Sequence, residues 1–388
     1  MTRRQLAKLA ATGAALQTNA AAFQAKAATT YTGPLDGLED KVKMADLDPV
    51  VFTKQLYANA PLQLTFKSSS RKDAEAWQRK LHAKVVELLG GFPATRVQLQ
   101  PRTLEVREFP TYRREKFVFQ SRPGMLMLAY LVLPKVAKAP MASVICIPGH
   151  GRGVDDIVGI DLEGNPRTDK PPYEHDFALQ VAEAGMAAIA IEPLGFGARR
   201  DPANKAKGLA QKACEPAAGA ALLLGQTILG WRVWDIMRTI DWIETRPELD
   251  AKRVGTMGIS GGGTASLFSA ALDPRVKAAM VSCYLNTFRD SIMSVAHCID
   301  NYVPGILNWA EMYDVAGLIA PRALFSEAGQ RDKIFPLAAS QESFRRVQQV
   351  YQVFGAANMA EQKTYDMPHE FSGVDGIPFM ARHLANGA

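Results

Sequence analysis

The chain has 388 residues, 47% of them hydrophobic and 22% charged, which suits one large α/β domain with additions, or two domains. No stretch approaches the about 20 uninterrupted apolar residues of a membrane-spanning helix, so no membrane partner is expected. The formal net charge is +6, but four of the cations, Arg3, Arg4, Lys8 and Lys26, stand in residues 1–27 without any acid, so the nearly neutral remainder predicts no nucleic-acid partner.

Residues 1–27 have the pattern of an export signal. The segment begins with Arg3-Arg4, continues through an alanine-rich stretch and ends on the small-x-small sequence Ala25-Lys26-Ala27. Its start resembles a twin-arginine signal, and cleavage is expected after Ala27. The alternative is an amphipathic or disordered tail. The pattern therefore predicts a periplasmic or secreted protein.

Residues 28–100 are predicted to form an N-terminal extension with one helix. Residues 28–60 have few periodic signals. The following segment, "SSSRKDAEAWQRKLHAKVVELLGGFP", predicts a helix, because serines cap its start, apolar residues recur at Trp77, Leu81 and Val85, and two glycines end it.

Residues 101–388 are predicted to form a mostly parallel central sheet with helices on both faces, an α/β fold. Nine segments read as strands: "TLEVREF", "EKFVFQS", "MLMLAYLVLP", "MASVICIPG", "MAAIAIEPLG", "KRVGTMGIS", "VKAAMVSCY", "PRALFSEAG" and "QKTYDMP". From the fourth strand onward, helical segments stand between them. These strands are apolar throughout rather than alternating, as expected where both faces of a sheet are covered.

The four cysteines give no metal or redox motif. Cys146, Cys214, Cys283 and Cys298 include no C-x-x-C pair. In an exported protein Cys283 and Cys298 are candidates for a disulfide, because they are close in sequence. Four buried thiols are the alternative.

A glycine-rich turn follows the strand "KRVGTMGIS". It has no lysine after the glycines, as a phosphate-binding loop requires, and it lacks dinucleotide-binding spacing. Gly258, Ser260 and Gly262 instead match G-x-S-x-G between a strand and a helix, the context of a nucleophile elbow. At so sharp a turn, the residue two positions before the serine and the residue two positions after it must both lack side chains. Ser260 is therefore the candidate nucleophile.

A serine nucleophile needs a base and an acid later in the chain. His369, in "DMPHEFSG" directly after the last predicted strand, is the favoured base, with His297 as the rival and His383 expected on a helix surface. Asp332, in the loop after "PRALFSEAG", is the favoured acid. Glu327 and Glu370 are the alternative acids.

The developing oxyanion needs hydrogen-bond donors. Gly261, directly after the nucleophile, supplies one backbone N–H. The loop "ICIPGHGRG" follows an early strand, and its Arg152 N–H is the predicted second donor, with Gly151 as the alternative.

Together these motifs resemble the α/β-hydrolase superfamily, and within it the acetyl xylan esterases and dienelactone-hydrolase-like esterases. The resemblance rests on "PGHGRG", "IEPLGFGARRD", "WDIMRTIDWIETRPELDAKRVGTMGISGGG", "IAPRALFSEAGQRDKIFP" and "MPHEF". It implies that residues 101–388 are a catalytic domain with Ser260, His369 and Asp332 as its triad. Dienelactone hydrolases have a cysteine at the nucleophile position, so a dienelactone substrate is not expected.

The resemblance and the export signal together imply a secreted serine carboxylesterase for short-chain acyl esters, acetyl esters in particular. The substrate partner would be a small-molecule or polysaccharide ester, and acyl transfer through serine needs no metal or cofactor. One alternative is a serine peptidase of the prolyl oligopeptidase type, although the 100 residues before the domain are too few for the usual β-propeller. The other is a non-catalytic binding protein on a hydrolase scaffold. The sequence leaves the oligomeric state open.

Overall fold

In the described residues, nine strands form one mixed sheet. They are β1 (Arg102–Glu108), β2 (Tyr112–Arg122), β3 (Met125–Pro134), β4 (Met141–Ile147), β5 (Ala187–Ile191), β6 (Leu249–Ile259), β7 (Val276–Ser282), β8 (Ala323–Gly329) and β9 (Ala360–Tyr365). Their order in the sheet is β1-β2-β3-β5-β4-β6-β7-β8-β9. The pairs from β1 to β3 and the β3–β5 pair are antiparallel, whereas every pair from β5 to β9 is parallel. The predicted mostly parallel sheet is confirmed.

The structure is a computed structural model that describes residues 33–208 and 213–385. The export signal predicted for residues 1–27 lies outside these ranges. The chain divides into two compact units, of which one ends at Leu56 and the other begins at Tyr57. Residues 57–100 therefore belong to the same unit as the sheet.

Ten helices occur in the described residues. They are α1 (Pro49–Ala58), α2 (Arg71–Leu88), α3 (Phe177–Glu183), α4 (Pro202–Ala206), α5 (Glu215–Leu223), α6 (Ile228–Ile243), α7 (Gly261–Leu272), α8 (Met312–Gly317), α9 (Leu337–Val353) and α10 (Gly376–Ala385). None of these described helices is long and apolar enough to cross a membrane.

The helices cover both faces of the sheet. Successive residues of β4 show this: Ile145 and Ile147 pack in one core with α2, α6, α7 and α9, whereas Val144 and Cys146 pack in a second core with α3 and α10. Side chains of a strand alternate between its faces, so a strand buried on both must be apolar at every position. This explains the almost wholly apolar run "MASVICI", whose one polar residue, Ser143, is also buried.

The extension contains two helices where the sequence predicts one. The predicted helix is α2, which Ser70 caps by accepting a hydrogen bond from Asp73 N–H. The additional helix is α1, whose start has Asp48 Oδ1 2.8 Å from Val50 N and a proline as its first residue, both of them ordinary helix-start signals. No residue of α1 is buried. α1 therefore lacks the buried apolar face that α2 has.

The parallel strands bring four loops to one edge of the sheet. Because β4, β6, β8 and β9 run in the same direction, the segments that follow them all lie at the carboxyl edge. Ligands of open α/β sheets bind at this edge. The glycine-rich elbow, the loop with Asp332 and the loop with His369 are three of these segments.

Candidate active site

Ser260 occupies a strained turn between the last residue of β6 and the first residue of α7. Its φ of 54° and ψ of −120° are unfavourable for a residue with a side chain. A Cβ atom on Gly258 would lie 2.4 Å from the carbonyl oxygen of Gly262, and one on Gly262 would lie 2.0 Å from the carbonyl oxygen of Ile147. The backbone at Ser260 therefore has the geometry expected of a nucleophile elbow.

His369 is hydrogen-bonded to the predicted acid. Its Nδ1 atom lies 2.7 Å from Asp332 Oδ2, and the Asp332 side chain is 1% exposed. The other carboxylate oxygen of Asp332 accepts the N–H groups of Ile334 and Phe335 at 2.8 and 3.0 Å, which fixes the carboxylate in place. His369 Nε2 is buried and has no hydrogen-bond partner among the described residues.

The other two downstream histidines contact aromatic rings. His297 lies against Phe335, with ring centroids 5.1 Å apart, and Phe335 in turn stacks on His369 at 5.6 Å. His383 lies in α10 beside Phe379, at 4.3 Å. The structure therefore joins His369 to Asp332, as the sequence analysis favours.

Glu327 supports the loop that carries the histidine. Its carboxylate accepts hydrogen bonds from Ser282 Oγ at 2.6 Å, Ser372 N at 2.9 Å and Gly373 N at 3.2 Å. Burial, partly opposed by these bonds, raises the pKa of Glu327 to about 7. Glu327 thus positions the chain just beyond His369. The side chain that contacts the histidine ring is Asp332.

Tyr173 connects the elbow, the histidine and the loop after β4. Its hydroxyl lies next to the Ser260 side chain and the backbone N–H of His150, and its ring stacks on His369 with centroids 5.9 Å apart. Its carbonyl oxygen accepts Phe371 N–H at 3.0 Å. Tyr173 is not recognisable from the sequence, because it lies in an irregular segment, "PPYEHDF", without a motif.

The Tyr173 hydroxyl keeps its proton at neutral pH. Burial, with a further contribution from the neighbouring Glu174, raises the pKa of Tyr173 well above its usual value, and the hydrogen bonds to Ser260 and His150 offset only part of that rise. A protonated phenol is a hydrogen-bond donor. Tyr173 can therefore donate to an oxygen atom that is bound next to Ser260.

The predicted second oxyanion donor, Arg152, is wrong. Its backbone N–H already donates to Asp156 Oδ2 at 2.7 Å, and its Nε donates to the other oxygen of the same carboxylate at 2.6 Å. The guanidinium also donates to the carbonyl oxygens of Ile160 and Asp161. The Asp156 carboxylate thus binds both the backbone N–H and the side chain of Arg152. Gly261 is the first residue of α7, where N–H groups have no partner within the helix, so its predicted role is compatible with the structure.

The backbone N–H of His150, two residues before Arg152, lies next to the Tyr173 hydroxyl. The preceding Gly149 donates its N–H to Glu174 Oε1 at 2.8 Å. A Cβ atom on Gly149 would lie 2.1 Å from Tyr173 Oη, so this position needs glycine. The Tyr173-Glu174 pair therefore shapes the loop after β4 from outside the loop.

All four cysteines are free and buried. The predicted candidate disulfide between Cys283 and Cys298 is not formed: the Cys283 thiol donates to the carbonyl oxygen of Glu370 at 3.3 Å, whereas Cys298 lies beside Cys214. The pairing depends on how the chain folds and not on proximity in sequence.

A polar cluster lies behind the oxyanion loop. His150 Nε2 is 3.3 Å from Asp300 Oδ2, and Arg232 forms a buried ion pair with the same carboxylate. Burial opposes the charged form of His150, but the Asp300 carboxylate outweighs it and raises the pKa of His150 to about 9. A Cβ atom on Gly261 would lie 2.8 Å from the His150 ring, so the cluster directly adjoins the elbow.

Two sets of side chains have ligand-type atoms within 4.8 Å of one another: His150, Cys214, Cys298 and Asp300, and Cys283, Asp332 and His369. In the first set the Arg232 guanidinium contacts both Asp300 and Cys214 and already supplies a positive charge. The second set contains the histidine–aspartate pair of the elbow site. We assign a metal to neither set.

Comparison with known proteins agrees with this architecture. Residues 50–378 match the model of the Abhydrolase family. The putative hydrolase YtaP of Bacillus subtilis is 27% identical over 278 residues, which are 71% of this chain and 88% of that protein. A putative acetyl xylan esterase from Bacteroides fragilis has a similar structure, with a TM-score of 0.69 at 19% identity over 82% of each chain. A glucuronoyl esterase from Solibacter usitatus gives 0.62 at 15% identity, over 84% of this chain and 97% of that one. The structural similarities confirm the predicted α/β-hydrolase fold.

Proposed function

Because the chain belongs to the Abhydrolase family, we propose that it is a secreted serine carboxylesterase that cleaves short-chain acyl esters, acetyl esters above all. The observation that carries the proposal is the 2.7 Å hydrogen bond between His369 Nδ1 and Asp332, together with a serine on a strained elbow. The buried Nε2 of His369, which has no partner in the described chain, is the base that such a serine needs.

In the first step Ser260 Oγ attacks the ester carbonyl while His369 Nε2 takes the hydroxyl proton. Asp332 accepts the Nδ1–H of the ring, which holds the proton on Nδ1 and leaves the lone pair on Nε2. The carboxylate stabilises the imidazolium that forms and does not take the proton itself. The histidine then protonates the leaving alcohol. In the second step water attacks the acyl-enzyme while His369 takes its proton, and Ser260 leaves with that proton.

The oxyanion is held by the Tyr173 hydroxyl together with the backbone N–H group of Gly261. Both groups adjoin the nucleophile: Gly261 follows it in the chain, and the Tyr173 hydroxyl lies next to Ser260. Donors that are fixed in advance lower the barrier, because no reorganisation is needed when the charge develops.

Replacing Tyr173 with phenylalanine tests this assignment. Losing one oxyanion donor lowers kcat by about 10²–10³-fold in comparable sites, and we expect a fall of that order with little change in KM. The control is Tyr302→Phe, since the Tyr302 hydroxyl donates to Ile292 O and its side chain is 42% exposed. An unchanged kcat for Tyr173→Phe would remove the hydroxyl from the mechanism.

An acetylated plant polysaccharide is the substrate class that we propose. Support comes from the names of the two similar structures, an acetyl xylan esterase and a glucuronoyl esterase, and from the predicted export signal. The nearly neutral body of the chain also suits an uncharged ester.

The proposed activity is tested with a panel of substrates. It comprises p-nitrophenyl esters of increasing acyl length, acetylated xylan, a methyl ester of glucuronic acid and a proline anilide peptide. We expect the acetate to react fastest, with kcat/KM falling on the order of tenfold or more for long acyl chains, and acetate to be released from xylan. Cleavage of the proline anilide alone would favour the peptidase alternative. Turnover of the glucuronate methyl ester alone would mean that the substrate is a glucuronate ester and not an acetyl ester.

A further inference from the structure

Cys214 and Cys298 form a pair of adjacent thiols. Their sulfur atoms lie within 4.8 Å of each other. Cys214 immediately precedes α5, and Cys298 stands far along the chain, in the long loop after β7. Cys214 is 0% and Cys298 5% exposed. The fold, and not a sequence motif, brings the two sulfurs together.

A fixed cation contacts one of the two sulfurs. Arg232 Nη2 lies 3.2 Å from Cys214 Sγ, and the same guanidinium donates to the carbonyl oxygen of Leu194 and to Asp300. Three hydrogen bonds to these two acceptors hold the buried cation against the sulfur. An adjacent guanidinium favours a thiolate, the reactive form of cysteine.

The two thiols differ in their acidity. The hydrogen bond from Cys298, followed by the charge of Arg232, lowers the pKa of Cys214 below the usual thiol value, against the opposing effects of burial and Asp300. The same hydrogen bond, followed by burial, raises the pKa of Cys298. The thiolate is therefore favoured at Cys214 rather than at Cys298.

We propose that Cys214 and Cys298 are a peroxide-reactive dithiol, in which Cys214 is oxidised first and Cys298 then closes a disulfide. The Cys214 thiolate attacks one oxygen of hydrogen peroxide: the S–O bond forms, the O–O bond breaks, and the hydroxide that leaves takes a solvent proton. The Cys298 sulfur then attacks the sulfenic sulfur: the S–S bond forms, the S–O bond breaks, and the hydroxyl group leaves as water with the Cys298 proton. Two thiols lose two electrons, and the peroxide becomes two waters.

The burial of the pair selects the class of oxidant. A protein disulfide catalyst must touch the sulfur that it oxidises, and Cys214 has no exposed surface. A peroxide is hardly larger than water, and the partly exposed side chain of His150, 24% accessible, lies 3.8 Å from Cys214 Sγ. The inference does not depend on Ser260 being a nucleophile.

The test uses the full chain, reduced and then freed of reductant. It is exposed to a small excess of hydrogen peroxide, and the remaining thiols are alkylated after unfolding. We expect a mass loss of two hydrogens and a peptide that links Cys214 to Cys298, while Cys146 and Cys283 are fully alkylated. Absence of the link, or a link between Cys283 and Cys298, would overturn the proposal.

Two matched variants separate the roles of the sulfurs. In Cys298→Ser the reaction should stop at the sulfenic acid of Cys214, which dimedone traps, and in Cys214→Ser peroxide should leave Cys298 unmodified. Cys283→Ser should behave as the unmodified chain does. If instead the reduced chain binds one equivalent of Zn²⁺ that protects both thiols from alkylation and peroxide forms no disulfide, the cluster is a metal site and the dithiol assignment is wrong.

Discussion

Replacing Ser260 with alanine should abolish ester hydrolysis, with a loss in kcat on the order of 10⁶-fold, as found when the serine of a complete triad is removed. The reason is that no other described side chain stands on the elbow between β6 and α7, so nothing replaces the attacking oxygen. Turnover of p-nitrophenyl acetate measures the loss. Covalent labelling by a fluorophosphonate probe should disappear in parallel, because the probe reacts only with an activated serine.

The fold of this variant should be intact. Alanine meets the same strain as serine at a φ of 54°, and the shortened side chain gives up only the contact with Tyr173. Thermal unfolding is therefore expected to match that of the unmodified chain. Ser69→Ala, at an exposed position before α2, is the matched control and should keep both turnover and labelling. Turnover that survives in Ser260→Ala would show that the nucleophile lies elsewhere. If the unmodified chain is folded but the probe does not label it, the non-catalytic alternative is favoured.

Replacing Asp332 with asparagine should lower kcat by about 10⁴-fold, the effect of the same change in a well-studied triad. An amide can donate to Nδ1 of His369, which moves the ring proton to Nε2 and removes the lone pair that Ser260 needs. Asp332 Oδ1 accepts hydrogen bonds from the N–H groups of Ile334 and Phe335. The amide oxygen of asparagine can accept the same two bonds. The loop should keep its shape, and the loss should appear in kcat rather than in stability.

Glu370→Gln provides the matched control for this prediction. Glu370 is the neighbour of the histidine in sequence and an alternative acid on sequence grounds, but the structure gives the Nδ1 hydrogen bond to Asp332. Its amide variant should retain nearly full turnover of p-nitrophenyl acetate. Equal losses in both variants, or a loss only in Glu370→Gln, would mean that the acid is wrongly assigned.

Features that depend on neighbours in sequence are predictable from the sequence. All nine predicted strands are present: the central strands β4, β5 and β8 are mostly apolar and fully buried, and turn residues bound the others. The G-x-S-x-G motif marks the elbow, because a Cβ atom on Gly258 would meet the carbonyl oxygen of Gly262. The order of serine, acid and histidine along the chain then limits the partners to a few residues.

Features that depend on contacts between distant segments are not predictable in this way. The loop after β4 is recognisable by its glycines, but the choice of donor depends on Asp156, which engages Arg152 N–H, and on Tyr173, which contacts His150. Similarly, Cys298 meets Cys214 and not its nearer neighbour Cys283. None of these choices leaves a spacing or a periodicity in the sequence.

By itself, the sequence determined the mostly parallel α/β sheet, the elbow with Ser260, and the placement of His369 and Asp332 in the loops after β9 and β8. These follow from burial pattern, steric exclusion at a tight turn and the common direction of parallel strands. Only the tertiary structure decided that His369 and Asp332 are in hydrogen-bond contact, that Tyr173 reaches Ser260, and that Arg152 is engaged by Asp156. The physical reason is that hydrogen bonds are specific to within a few tenths of an ångström, and distances between remote segments are set by the packing of the whole sheet and its helices.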